Sequence, residues 1–193
     1  YGGQVGAITV TGINSTITVS VSLPISCANQ TINASLAIGT ATAANSSFDP
    51  SSAQQKNIGD TAVKFTGTRI TAGSAEDVRL FSIRWRLNGS ASASDISNVM
   101  TVIDGTSYPT TVSADGRYYT TTVAGGKLMT KGNSADVYVQ GDITGTNSNS
   151  RVIEFDIDRQ SDIYIVGQTY GYGITSTAAS FEGATISAAA THG

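Results

Sequence analysis

Charge is scarce in this chain: 11 Lys and Arg and 14 Asp and Glu among 193 residues, with only four Lys and three Glu. Histidine and cysteine are scarcer still, each occurring once, as His192 and Cys27. A single Cys cannot close an intramolecular disulfide, and its setting, SLPISCANQ, reads as an apolar strand in which the thiol is buried and inert. A single His excludes a multi-histidine metal centre within one chain, and a Ser-His-Asp triad or Cys-His pair would have to hang on the penultimate residue. No spacing rule pairs two carboxylates for glycoside hydrolysis, and turns account for most of the 11 Asp. The chain is therefore expected not to be an enzyme and to need no cofactor or metal.

Basic clusters are also missing. None of the Lys and Arg forms a run and the net charge is -3, which excludes the phosphate neutralisation that nucleic-acid binding requires. No apolar stretch approaches the roughly 20 residues that cross a bilayer, so no membrane insertion of the mature chain is expected. A chain that opens on Tyr1 rather than Met reads as a processed amino terminus or a trimmed chain, with any secretory signal already gone.

What is abundant is small and hydroxylated: 26 Thr, 24 Ser, 22 Ala and 21 Gly. Bulk Thr, Val, Ile, Tyr and Gly favour strands and tight turns over helices. Period-two alternation recurs along the chain. Ile17, Val19, Val21, Leu23 and Ile25 share a face, and Ile32, Ala34, Leu36 and Ile38 repeat the pattern. Residues 43–57 read as a long polar loop, and strands resume over 61–70 and 78–88. In the latter, Phe81, Ile83, Trp85 and Leu87 share the core face, with Arg84 and Arg86 opposite beside Leu80 and Ser82. A short helical turn or loop is expected over 90–98, and a strand over 99–103 closed by Asp104-Gly105. A hairpin over 112–118 turns at Asp115-Gly116. After Gly125-Gly126, strands follow over 135–144, 151–158, 162–168, 170–176 and 184–190. About a dozen short strands predict an all-β fold, an antiparallel two-sheet β-sandwich of Ig-like or jelly-roll type.

Residues 1–12, YGGQVGAITVTG, carry no charged side chain and suit burial on both faces. A strand of this kind does not belong at a solvated edge. It is the candidate donor strand, through Val5, Ala7, Ile8 and Val10, for a groove in a neighbouring subunit, the alternative being an ordinary first strand paired in its own sheet. Residues 13–193 are read as a single sandwich domain. Five Asn head the glycosylation sequon: Asn14, Asn29, Asn33, Asn45 and Asn88. Ten Asn and 50 Ser or Thr would give about 2.6 by chance, so the excess favours an extracellular or cell-surface setting with N-linked glycans as partners. Asp156, Asp158 and Asp162 have the spacing of a weak Ca²⁺ corner but read more simply as solvated strand and turn residues. Tyr118, Tyr119, Tyr138, Tyr164, Tyr170 and Tyr172 are candidates for a sugar-stacking platform.

In plan, the uncharged strand YGGQVGAITVTG ahead of a Ser/Thr-rich sandwich with several sequons resembles strand-exchanging filament subunits, such as archaeal threads and bundling pili and camelysin-type biofilm fibres. The resemblance covers the whole chain loosely. It implies a secreted homopolymer of identical subunits joined by strand donation, and brings no catalytic residues with it. The alternative readings are a monomeric surface adhesin or carbohydrate-binding module, contacting its ligand through the tyrosines and the Arg84–Arg86 strand, and a virion coat protein.

Overall fold

The computed structural model describes residues 9–11, 18–20, 37–145, 150–177 and 186–189, the strands at 9–11, 18–20 and 186–189 through their backbone. The chain divides into Tyr1–Leu36 and Ala37–Gly193. In the first unit β1 (Thr9–Thr11) and β2 (Thr18–Ser20) pair antiparallel as a two-stranded sheet. The second unit holds β3 (Ala41–Asn45), β4 (Gln54–Asn57), β5 (Val63–Ala72), β6 (Val78–Asn88), β7 (Ile96–Ile103), β8 (Thr106–Pro109), β9 (Thr111–Val112) and β10 (Tyr118–Met129). These are followed by β11 (Ser134–Ile143), β12 (Val152–Asp156), β13 (Ile163–Gly167), β14 (Gly173–Ile174) and β15 (Ile186–Ala189), with short 3₁₀ turns at Ala93–Asp95 and Gln160–Asp162.

The expected two-sheet sandwich is what the second unit forms. One sheet is built around β6, whose first edge is paired along its length by β10 and whose second edge is shared end to end by β13 and β12. Outside these lie β9, β14, β15 and β4. The other sheet runs β3-β5-β11-β7-β8. Pairing is antiparallel except for β15 on β4 and a single bridge between Thr42 and Thr177. Both flanks of the sandwich are stitched by chain that changes sheets. Residues 106–112 leave β8 beside β7 and become β9 beside β10, with the Thr110 hydroxyl donating to the Val99 carbonyl at the corner (2.8 Å). On the opposite flank the chain leaves β14 and reaches Thr177, which exchanges backbone hydrogen bonds with Ala41 and Ala43 of β3.

Alternation drives the core. Ala135, Val137, Val139 and Ile143 of β11 face Ile83, Trp85 and Leu87 of β6 and Ile153 and Phe155 of β12 in one buried cluster. Phe65 and Tyr119 each place their ring centroid 5.2 Å from that of Phe155, Tyr119 edge-on. Each large side chain so buried contributes on the order of 1.5–3 kcal/mol before ordering costs. The Trp85 indole N–H donates to the Thr101 hydroxyl across the sheets (2.9 Å), and the Thr121 hydroxyl meets the same oxygen at 2.7 Å. The Thr101 hydroxyl thus satisfies the only Trp in the chain inside an apolar layer, and Thr121 bonds the same oxygen.

The register departs from simple alternation at bulges. Along β6 the buried positions are Val78 and Leu80, then Ile83, Trp85 and Leu87, with the ladder slipping between Tyr164 and Ile165 opposite. Phe81 therefore lies half-buried and Leu80 in the core, the reverse of the expected faces. Gly125-Gly126 does not break the chain but bulges β10, both residues taking positive φ (73° and 69°), and a Cβ on Gly126 would sit 3.0 Å from that of Arg79. The polar segment 43–57 contains β3 and β4 rather than a loop alone, and β8 follows the Asp104-Gly105 turn as a strand absent from the sequence reading.

Thr101→Val removes the oxygen shared by Trp85 and Thr121 and should destabilise the sandwich by about 1–3 kcal/mol, read from the denaturation midpoint. Thr101→Ser, which keeps the hydroxyl, should recover most of that loss.

Candidate functional site

Only part of the expected site falls among the described residues. Val5, Ala7, Ile8, Asn14, Asn29, Asn33, Cys27 and His192 lie outside the described residues, and Val10 falls in β1, paired with Val19 of β2. That pairing occurs within the chain.

The carboxylate corner lies where the Gln160–Asp162 turn interrupts the strand neighbouring β6. Each acid there has its own partner. Asp162 is buried, accepting Arg84 Nη2 through Oδ1 (2.5 Å) and the Arg159 N–H through Oδ2 (3.0 Å). Asp158 accepts Arg86 Nη1 at 2.8 Å, and that hydrogen bond and charge raise the Arg86 guanidinium above its ordinary value. Asn88 Nδ2 donates to Asp156. Arg84 also lies over Tyr118, its Cζ 4.9 Å from the ring centroid. Asp156 and Asp162, both buried, thus depart from the expected solvated residues. Alternation on β6 sends both arginines outward, and the turn supplies their counter-charges. Among the described residues no three His, Cys, Asp or Glu gather as a cation cage.

The six tyrosines do not make one platform. Tyr119 is in the core, and Tyr138 stacks on Phe48 (4.6 Å) on the outer face of the β5–β11 sheet. Tyr118 and Tyr164 belong to the β6 sheet, Tyr164 beside Phe81 with centroids 6.0 Å apart. Tyr164, Tyr170 and Tyr172 are exposed, the last two in and beside the β13–β14 turn.

Of the sequons, two fall on described side chains. Asn45 is exposed at the end of β3, whereas Asn88 is half-buried with its amide nitrogen engaged by Asp156.

Sequence reasoning missed Glu76. It is buried, and its carboxylate accepts the N–H groups of Gly39 (2.8 Å), Thr169 (2.8 Å) and Tyr170 (3.4 Å). Burial pushes its pKa up, but those three backbone donors and the Thr169 side chain outweigh it and hold the carboxyl below its ordinary range. The space is made by glycine: a Cβ on Gly167 would fall 2.5 Å from Glu76 Oε1, and one on Gly39 would fall 2.9 Å from Glu76 Cγ. A lone Glu in the polar run GSAED carries no spacing signal, because its partners are backbone groups 37 and 93 residues away.

No family model and no curated protein matches this chain. Among solved structures, CaCohA2 from Clostridium acetobutylicum is similar at 17% identity over 79% of this chain and 92% of that one, with a TM-score of 0.42. The seventh ScaB type I cohesin from Pseudobacteroides cellulosolvens matches at 10% identity over 81% and 95%, TM-score 0.39. A non-cellulosomal cohesin from the hyperthermophilic archaeon Archaeoglobus fulgidus matches at 15% identity over 81% and 93%, TM-score 0.32. The resemblance to threads, bundling pili and camelysin-type fibres stands on the sequence alone.

Two outcomes are expected. Glycopeptide mapping of native material should find Asn45 occupied and Asn88 bare, since a glycan on Asn88 would displace the Asp156 contact. The second concerns acid stability. Because the folded pKa of Glu76 is depressed, the unfolded chain binds the extra proton first. Its stabilisation is complete above an unfolded value of about 4.3 and fades as pH falls through the lower folded value. Glu76→Gln should therefore lower stability at pH 7 by about 1–3 kcal/mol and flatten, without abolishing, the acid limb of a stability-against-pH curve. Asp115, held down by Ser113, and Asp142, held down by Asn98, shift in the same direction.

Proposed function

We propose that this chain is a non-enzymatic structural subunit of an extracellular filament, built from identical copies joined when residues 1–12 of one copy complete a sheet of the next. One observation carries the reading: β1 and β2 pair with each other and with no other described strand, in a unit with no charged side chain. The first charged residue of the whole chain is Asp49. A lone two-stranded ribbon is marginal in water, and without charge nothing discourages further strands from adding to it. A strand from another copy adds hydrogen bonds and apolar cover to such a ribbon. The Ser/Thr-rich composition and the five sequons support the extracellular setting and N-linked glycans. Among the described residues no helix is long and apolar enough to cross a membrane.

A second reading, a monomeric adhesin or carbohydrate-binding module, draws on the exposed Tyr164, Tyr170 and Tyr172 of the sandwich.

Electron microscopy and size-exclusion of the purified chain distinguish the two. The full chain should form thin regular fibres, and deletion of residues 1–12 should abolish them while leaving the cooperative unfolding of the sandwich. Ile8→Asp should act like the deletion, since an unpaired buried charge costs several kcal/mol. Normal fibres from either variant would end the strand-donation reading, and a full chain that stays monomeric at every concentration would favour the adhesin.

A further inference from the structure

An open groove of about 820 Å³ lies on the sandwich unit between the 47–50 loop, β4 and the start of β5. Lys56 and Lys64 both line it, and among the described residues neither ammonium is within ion-pair distance of a carboxylate. The two acids at the groove are already committed to its own walls. Asp49 is buried and accepts the Ser51 N–H (2.7 Å) through Oδ1, and the Thr66 hydroxyl (2.8 Å) and Gly67 N–H (3.3 Å) through Oδ2. Asp60 accepts the Asn57 N–H at 2.9 Å. Neither carboxylate forms an ion pair with either lysine. Lys64 is placed by aromatic contact, its Nζ 4.6 Å from the Phe48 ring centroid and 5.1 Å from that of Tyr138.

The remaining wall is polar, with Ser47, Gln54 and Thr61 all exposed. The rim is held in an uncommon conformation. Ala62, which lines the groove, and Ser51, next to Pro50, take φ of 52° and 57°, a region that residues with a Cβ seldom occupy. Each is fixed by its N–H, Ala62 on Asp142 Oδ1 (2.8 Å) and Ser51 on Asp49. Backbone strain persists where surrounding contacts over-determine it, and it concentrates at ligand clamps.

We infer that this groove binds an acidic oligosaccharide, with Lys56 and Lys64 receiving uronate carboxylates and Ser47, Gln54 and Thr61 meeting ring hydroxyls. Its volume is that of a small-molecule site. A wall of hydroxyls and an amide, with one aromatic ring and no deep apolar recess, suits a sugar better than peptide side chains. The groove is lined by residues of the second unit, and its test does not depend on filament formation.

Calorimetric titration of the full chain with tetragalacturonate, neutral cellotetraose and a tetraglutamate peptide tests the assignment. Tetragalacturonate should bind saturably at one site and more weakly as salt is raised. Lys56→Gln/Lys64→Gln should weaken it by roughly tenfold or more, with an unchanged thermal transition showing that the sandwich still folds. Cellotetraose should not saturate. Absence of saturable tetragalacturonate binding, equal binding by the double variant, or equal binding of cellotetraose would overturn the proposal. Tetraglutamate binding as tight as tetragalacturonate would overturn it in favour of an acidic-peptide site.

Discussion

The sandwich depends on satisfying both edges of β6. An 11-residue central strand carrying Leu80, Ile83, Trp85 and Leu87 inward must have partners along its whole length, or its backbone would be buried unpaired. One edge is met by a single long strand, β10. The other is met by two shorter ones, and the gap between β12 and β13 is where the Gln160–Asp162 turn forms. The Arg84–Asp162 and Arg86–Asp158 pairs follow from that gap, because two outward arginines on β6 lie beside a turn that has room for acids. Bulges adjust the rest, moving Leu80 inward and Phe81 out.

Low charge shapes how polar groups are used. Several of the described acids accept bonds from segments far away in the chain. Glu76 and Asp49 gather backbone N–H groups, Asp142 ties Asn98 to Ala62, and Asp136 takes a two-pronged bond from Arg69. Carboxylates here serve as joints between distant segments.

The architecture was legible because alternation is strong where strands are long: the expected span 78–88 coincides with β6, and Asp115-Gly116 sits at the turn between β9 and β10. It failed where the signal was local and ambiguous. Ala41–Asn45 and Gln54–Asn57 are strands without large apolar residues, formed because neighbouring strands offer hydrogen bonds. Gly125-Gly126 looks like a break in one dimension and is a bulge in three. The candidate sites were less legible still. Asp158 and Asp162 were visible as a cluster, but the arginines that engage them come from a strand more than 70 residues earlier. Lys56 and Lys64 stand out only once Asp49 and Asp60 are seen to be occupied elsewhere.

The Glu76 cradle has a mechanical meaning. Chain entering the sandwich at Ala37 is gripped two residues later, where Gly39 donates to a carboxylate rooted just before β6. Along the chain from Ala37 onward, this bond and the Gly73–Thr40 backbone bond (2.8 Å) come before the β3–β5 ladder. The same carboxylate holds Thr169 beyond β13, so the load is shared with a second strand neighbouring β6. Tension along the chain is met at a charged knot beside the central strand before it can peel an edge.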